Sequence, residues 1–298
     1  MRVLITGTSG FIGRNVIKQL KQTIGKDEII TFSSSESDGI RNINSNNYNI
    51  DDDYLIEEKC EDVDTLIHIG AFIPKTIKDA NLIDDNTSNI INTKKLLAAF
   101  SRLPKIKKIV FISSVDVYAE TDDILTESSA IGPQTLYGWS KLYCEELIKN
   151  FAFQNNLDYC ILRLGHVYGE GEEKYKKVMP IMIKSAIQNE DIKIYGDGEA
   201  LRTFIYIDDV GKAIINAAFS ESIGTINVVG NKASSINDLA KEIVAYSGNS
   251  VNICHIPTSC KNRNLIFDNS KLMDNLLDSL TPFEDGLKKE VEYMRNIK

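Results

Sequence analysis

Val3-Leu4-Ile5-Thr6-Gly7-Thr8-Ser9-Gly10-Phe11-Ile12-Gly13-Arg14 is the stretch whose reading decides the fold. A short apolar run meets three glycines spaced G-x-x-G-x-x-G, and Phe11 to Leu20 then reads as a helix. Glycines between a strand and a helix let the backbone turn tightly and approach a pyrophosphate, while the helix N-terminus faces its negative charge. The stretch predicts a dinucleotide site built on Gly7, Ser9, Gly10, Phe11, Ile12 and Gly13. Its spacing is not G-x-G-x-x-G, so its weight comes from its place between strand and helix.

Working outward, strand and helix signals alternate. Ile29–Phe32, Thr65–Ile69, Lys108–Ser113 and Tyr159–Leu164 read as strands, with helices over Asn81–Phe100 and Leu136–Asn155. Such alternation predicts an α/β fold, a doubly wound parallel sheet of the Rossmann type. After Gly165 the rhythm changes. A Gly/Glu-rich loop leads into a helix ending near Asn189, then strands Ile192–Tyr195 and Phe204–Ile207, then a helix capped by Ser235 with Asp238 at its third position. The expected organisation is a dinucleotide-binding domain over residues 1–165 and a smaller α/β substrate lobe over 166–298. Within the lobe, about 204–219 returns to the first domain. The polar stretch Ser33–Asn49 is expected to be a mobile loop.

Composition removes several classes. A formal charge of −8 and a pI near 5.1 argue against nucleic-acid binding and against a basic membrane-surface protein. No stretch approaches the roughly 18 apolar residues of a spanning helix, and no signal peptide is read at the start. Five scattered cysteines fit a reducing cytosol better than a disulfide framework. Cys254, His255 and Cys260 lack the spacing of a zinc site, so no metal is expected.

The second strand ends at Phe32-Ser33-Ser34-Ser35, without the acidic residue that would bind the ribose 2′-hydroxyl of NAD. Arg14 offers a partner for a 2′-phosphate, so an NAD(P) site with NADP favoured over NAD is expected. Tyr137 and Lys141 lie four apart on one helix face, one loop after Ser113-Ser114 at a strand end. His68 is read as a hydrogen-bonded core histidine rather than a cofactor contact.

With these motifs in order, the chain resembles the extended short-chain dehydrogenase/reductases of the NAD-dependent epimerase/dehydratase family. The resemblance rests on Thr6 to Gly13, Ile67-His68-Ile69-Gly70-Ala71, Ser113 to Tyr118, the Tyr137/Lys141 pair and Leu162 to Gly169, and it runs from Arg2 to about Leu287. It implies that Tyr137 exchanges the proton of a sugar hydroxyl or keto oxygen, with Ser114 orienting that oxygen. Lys141 and the oxidised nicotinamide would lower the phenol's pKa, and Asn89 would support the arrangement. It further implies that Ser33, Ile50, Ile69, Gly70 and Ala71 line the coenzyme. On the substrate side it implies that Arg202 grips a nucleotide-sugar diphosphate bidentately, that Tyr195 stacks on the base, and that His166, Val178 and Arg263 complete the site.

Departures from the family pattern are informative. His166 stands where Asn is usual, Thr203 where Asp is usual, and Asn49 in place of an Asp beside adenine. The family's sugar dehydratases carry Asp then Glu after a catalytic Thr, whereas Val115 and Asp116 follow Ser114 here. A 4,6-dehydratase is therefore not expected. The leading reading is a nucleotide-sugar 4-epimerase or 4-ketoreductase, cytoplasmic and homodimeric, the missing dehydration acid and the NADP preference tilting towards the reductase. Alternatives are a reductase of non-sugar ketones or aldehydes on the same framework, which would dispense with Arg202 and Tyr195, and a non-catalytic dinucleotide-binding protein.

Overall fold

The computed structural model describes residues 1–36, 39–45, 58–221, 224–258 and 263–297. In chain order the strands are β1 (Val3–Thr6), β2 (Ile29–Ser33), β3 (Arg41–Asn44), β4 (Thr65–His68), β5 (Lys108–Ser114), β6 (Asp158–Leu164), β7 (His166–Tyr168), β8 (Ile192–Tyr195), β9 (Leu201–Tyr206), β10 (Gly224–Val228), β11 (Ala233–Ser235) and β12 (Ile253–Ile256). Seven of them form one sheet in the order β10-β6-β5-β4-β1-β2-β3, every neighbouring pair parallel. The strand order reverses between β1 and β4, and a crevice opens there beyond the carboxyl ends.

Both faces of this sheet are covered, so its strands are apolar on both sides. Val3 and Ile5 point into one core and Leu4 into the other, as alternate side chains of a strand must. Helices α1 (Phe11–Ile24) and α5 (Ile207–Phe219) cover the first face with Val16, Leu20, Ile214 and Ala217. Asn15 and Gln19 of α1 also donate to the Asp208 carboxylate and backbone carbonyl, respectively, of α5. The second face lies under α2 (Ile83–Phe100) and α3 (Leu136–Asn155), through Leu96, Phe100 and Ile148. Each fully buried Leu, Ile or Phe contributes roughly 1.5–3 kcal/mol.

The remaining strands form two small sheets, β11-β9-β7 and β12-β8. Helices α4 (Val178–Ile187), α6 (Ile236–Ser247) and α8 (Phe283–Asn296) pack around them, and the short α7 (Ser270–Asn275) lies beside β10. Met179, Ile183, Leu239, Ile243 and Leu287 belong to the same continuous core as Val3 and Ile5. Only Gly165 separates β6 in the large sheet from β7 in the small one.

Two expectations change. Part of the stretch read as a mobile loop is strand: Arg41–Asn44 pairs with β2, with Ile43 alone fully buried. An edge strand needs little apolar surface, so its letters resemble a loop's. The strand expected over Phe204–Ile207 runs instead over Leu201–Tyr206, and Ile207 begins α5, whose first turn carries Asp208 and Asp209 at the positive helix end. Asn49, Ile50 and Cys260 lie outside the described residues. Cys60, Cys144, Cys160 and Cys254 are free thiols. Among the described residues, no helix is long and apolar enough to cross a membrane.

Candidate active site

The glycine turn sits at the point where β1 and β4 diverge. Gly7 has φ +73°, and a Cβ there would lie 2.6 Å from the backbone of Gly70 at the end of β4. A Cβ on Gly13 would lie 2.2 Å from the Gly7 carbonyl oxygen, whereas one on Gly10 would meet only that same oxygen, at 3.4 Å. The turn is thus pressed inward at Gly7 and Gly13 and open at Gly10. No side chain caps α1 at Gly10, which leaves its amide end for an anion. Replacing Gly7 by Ala should cost about 1–3 kcal/mol of stability from the left-handed backbone alone. It should also weaken coenzyme binding, as thermal unfolding with and without NAD would read.

A cleft of about 360 Å³ runs from this turn past the end of β2, lined among others by Gly7, Ser9, Ser33, Ser34, Gly70 and Lys95. Ser33 Oγ is buried there without a hydrogen-bond partner, an orphan suited to a ribose hydroxyl. The chemistry of this cradle fits a dinucleotide. Phe11, Ile12 and Ala71 are half-buried around it and Ile69 is buried beneath. Arg14 is exposed, donates from Nε to Ser9 O at 2.9 Å, and lines a separate groove with Lys18 and Lys174. Among the described lining residues the cation is Lys95 of α2, which sequence reasoning did not single out.

His68 is a core histidine, bonded at both nitrogens. Thr6 Oγ1 accepts from Gly70 N at 2.9 Å and lies 2.8 Å from His68 Nδ1. Nε2 lies 3.0 Å from Thr93 Oγ1. Burial, and then the Lys141 charge, hold its pKa at about 3, so the ring is neutral.

Ser114, Tyr137, Lys141 and Asn89 are all buried and drawn together where β5 ends against α2 and α3. Thr135 caps α3, its hydroxyl accepting from Gly138 N at 3.1 Å, which puts Tyr137 in the first turn and Lys141 one turn on. Asn89 accepts from Phe72 N at 2.7 Å and donates to Ser140 Oγ at 3.2 Å, tying the segment after β4 to α3. Lys141 Nζ donates to the Ile112 carbonyl and lies 4.6 Å over the Phe111 ring. Burial lowers its pKa to about 8.

The phenol of Tyr137 is pushed up, by burial and then by the Asp116 charge, while the Ser114 hydroxyl beside it pulls the other way. The lowering expected from Lys141 together with an oxidised nicotinamide concerns the coenzyme-bound state. Asp116 is solvent-exposed beside the phenol, its backbone N–H donating to Ser114 Oγ at 3.2 Å. Sequence reasoning noted it only as the wrong acid for dehydration, yet it borders the reacting phenol. Behind these groups Glu145 of α3 and Arg163 of β6 form a fully buried pair, Nε to Oε1 3.0 Å and Nη2 to Oε2 2.7 Å, with Ser113 Oγ on the same carboxylate at 2.5 Å.

In the smaller sheets, Arg202 and His166 come together on adjacent strands β9 and β7. Arg202 donates to the carbonyls of Leu201 and Arg263, and burial, then the Arg263 charge, lower its pKa. Arg263 itself faces Glu120 at 3.5 Å. Val178 opens α4 partly exposed, and Tyr195 ends β8 with 64% of its surface exposed.

A parallel doubly wound sheet, an uncapped glycine turn at its switch point, and a Ser/Tyr/Lys cluster at the next strand end give the architecture of a Rossmann-like enzyme. The NAD dependent epimerase/dehydratase family model matches residues 3–230, and the chain belongs to that family. It is 29% identical over 306 residues to a putative UDP-glucose 4-epimerase of Methanocaldococcus jannaschii, covering 99% of this chain and 98% of that one. Among solved structures it resembles the UDP-glucose 4-epimerase of Thermotoga maritima with UDP-glucose, at TM-score 0.86, 25% identity and 99% coverage of both chains. It also resembles the UDP-N-acetylglucosamine 4-epimerase of Methanobrevibacter ruminantium in complex with UDP-N-acetylmuramic acid, at TM-score 0.84 and 29% identity, covering 98% of this chain and 97% of that one.

Proposed function

We propose that the protein is a nucleotide-sugar 4-epimerase that uses Tyr137 as acid and base. The observation that carries this reading is the convergence of Ser114, Tyr137 and Lys141, backed by Asn89, at the sheet edge beside the glycine cradle. The activity named for the similar proteins supports it.

NAD, which Gly7–Gly13, Ser33 and Gly70 would hold, would supply the hydride acceptor for oxidation at C4 and the donor for the hydride's return to the other face. Ser114 orients the sugar's 4-hydroxyl, Tyr137 takes its proton as the C4 hydride leaves, and Lys141 places a positive charge beside the phenolate side of the pocket. The proton returns from Tyr137 once the 4-keto sugar has presented its other face. Arg202 and His166 hold the diphosphate, with Arg263 and Val178 at its flank, and Tyr195 covers the base. Residues 1–165 serve the coenzyme and 166–298 the substrate, with 204–219 packed back on α1. An apolar groove of about 410 Å³ between α2 and α3, bordered by exposed Ile83, Trp139 and Tyr143, supports a homodimer through these helices. The free thiols support a cytoplasmic setting.

The 4-ketoreductase is the second reading, and the cleft favours it through Lys95 and the hydroxyls of Ser33 and Ser34, partners for an NADP 2′-phosphate. Incubation with UDP-glucose and NAD decides between them. An epimerase yields UDP-galactose with no net change in NADH absorbance, whereas a reductase consumes NADPH only when offered a 4-keto sugar.

Arg202→Ala should raise the Kd for the nucleotide-sugar on the order of 10–100-fold, the range for losing hydrogen bonds to a charged group, with coenzyme affinity unchanged. Arg202→Lys should recover part of it, a point charge replacing a fork. Unchanged affinity in Arg202→Ala would favour a non-sugar ketone substrate.

A further inference from the structure

We propose that His166 takes up a proton when the diphosphate of a nucleotide-sugar binds, so that the protein's hold on its substrate weakens as pH rises. The inference rests on the nucleotide-sugar reading above and concerns the same site.

The argument begins with the place the ring occupies. His166 opens β7 opposite Phe204 of β9, with their rings edge-on at 5.8 Å. Arg202, two residues before Phe204, shares that strand face. From the other side comes Lys177, whose Nζ donates to Val167 O at 3.3 Å. Glu172, 2.9 Å from Lys177, offsets that charge. Arg263 touches Arg202 through its carbonyl and turns its guanidinium to Glu120. Among the described residues no carboxylate lies within ion-pair distance of Arg202, while His166 Nδ1 is buried with no hydrogen-bond partner. A buried imidazole nitrogen left unpaired beside an uncompensated guanidinium is a site lacking an anion.

In the free protein the ring is neutral. Burial first, then Arg202 and Lys177, hold its pKa at about 3. A diphosphate would bring two negative charges against the same ring, reversing the local field and accepting from Nδ1 of an imidazolium. The bound-state pKa then lies above the free-state value. Between those two values affinity falls by about tenfold for each unit of rising pH, and above the bound-state value it levels off. The diester-like phosphates of a nucleotide-sugar do not titrate near neutrality, so the slope belongs to the protein. Asn, the family's usual residue at this position, has no proton to gain.

A second titrating group lies nearby and has to be separated. Glu172 and Glu290 form a buried carboxyl pair behind Lys177, both raised, by burial first, with Glu173 adding to both. The His166→Asn variant leaves that pair in place.

The test is calorimetric titration of the NAD-saturated protein with UDP-glucose at pH 7 in HEPES and in Tris, whose different ionisation heats report the protons exchanged. The wild type should take up a substantial fraction of one proton per UDP-glucose, and His166→Asn should bind it with none, its affinity flat with pH. Binding by the wild type without proton uptake, or uptake that persists in His166→Asn, overturns this inference alone. If no UDP-, dTDP- or GDP-linked glucose binds at any pH, the nucleotide-sugar reading fails and this inference with it.

Discussion

Tyr137→Phe should lower kcat by about 10²–10⁴-fold, the usual span for losing a positioned acid or base, while leaving substrate and coenzyme affinities nearly unchanged. The substitution keeps the buried ring and removes only the hydroxyl beside Ser114 and Asp116. Because burial and Asp116 hold the phenol protonated in the free protein, it is poised as an acid for reducing a keto sugar. Run towards oxidation, the same group must first lose its proton, so that direction should quicken as pH rises while reduction stays flat. Steady-state kinetics in both directions checks this. A Tyr137→Phe enzyme with wild-type kcat would move the proton transfer to another group.

The second large effect concerns stability. Glu145→Ala leaves the Arg163 guanidinium buried and without its carboxylate, and breaking such a pair from one side costs roughly 3–5 kcal/mol. The melting temperature should fall on the order of 10 °C. Ser113 loses its acceptor in the same step, and Arg163 keeps its contacts with Tyr118, whose ring lies 4.8 Å away. The pair ties α3 to β5 and β6, so residual activity should fall along with Tm. Differential scanning calorimetry measures the effect, and an unchanged Tm would mean that water or a rotated side chain satisfies Arg163.

Much of this arrangement was legible in the residues. The glycine turn, the buried strands of the large sheet and helices α2 and α3 follow from apolar runs, period and caps, which are local signals. Three features were not. Arg41–Asn44 reads as loop because one covered face at a sheet edge asks for a single Ile43. Lys95 looks like any surface lysine until α2 is laid across the end of β2. Arg163 and Glu145 are 18 positions apart, and no spacing rule pairs a strand residue with a helix residue at that distance. Arg14 shows the converse. A cation after the third glycine draws attention in the sequence, yet its side chain folds back on Ser9.

The single residue between β6 and β7 has a consequence for how this molecule can change over time. Gly165 bonds to Val228 O at 3.1 Å, and a Cβ on it would come within 2.8 Å of Val229, so the joint has no slack. Side chains on a strand alternate sides, so lengthening that joint by one residue would turn His166 away and present Val167 to the pocket instead. The two halves of the binding crevice are therefore held in phase like teeth on one gear. Point substitutions can retune what is bound, but recombination through this joint would scramble the site.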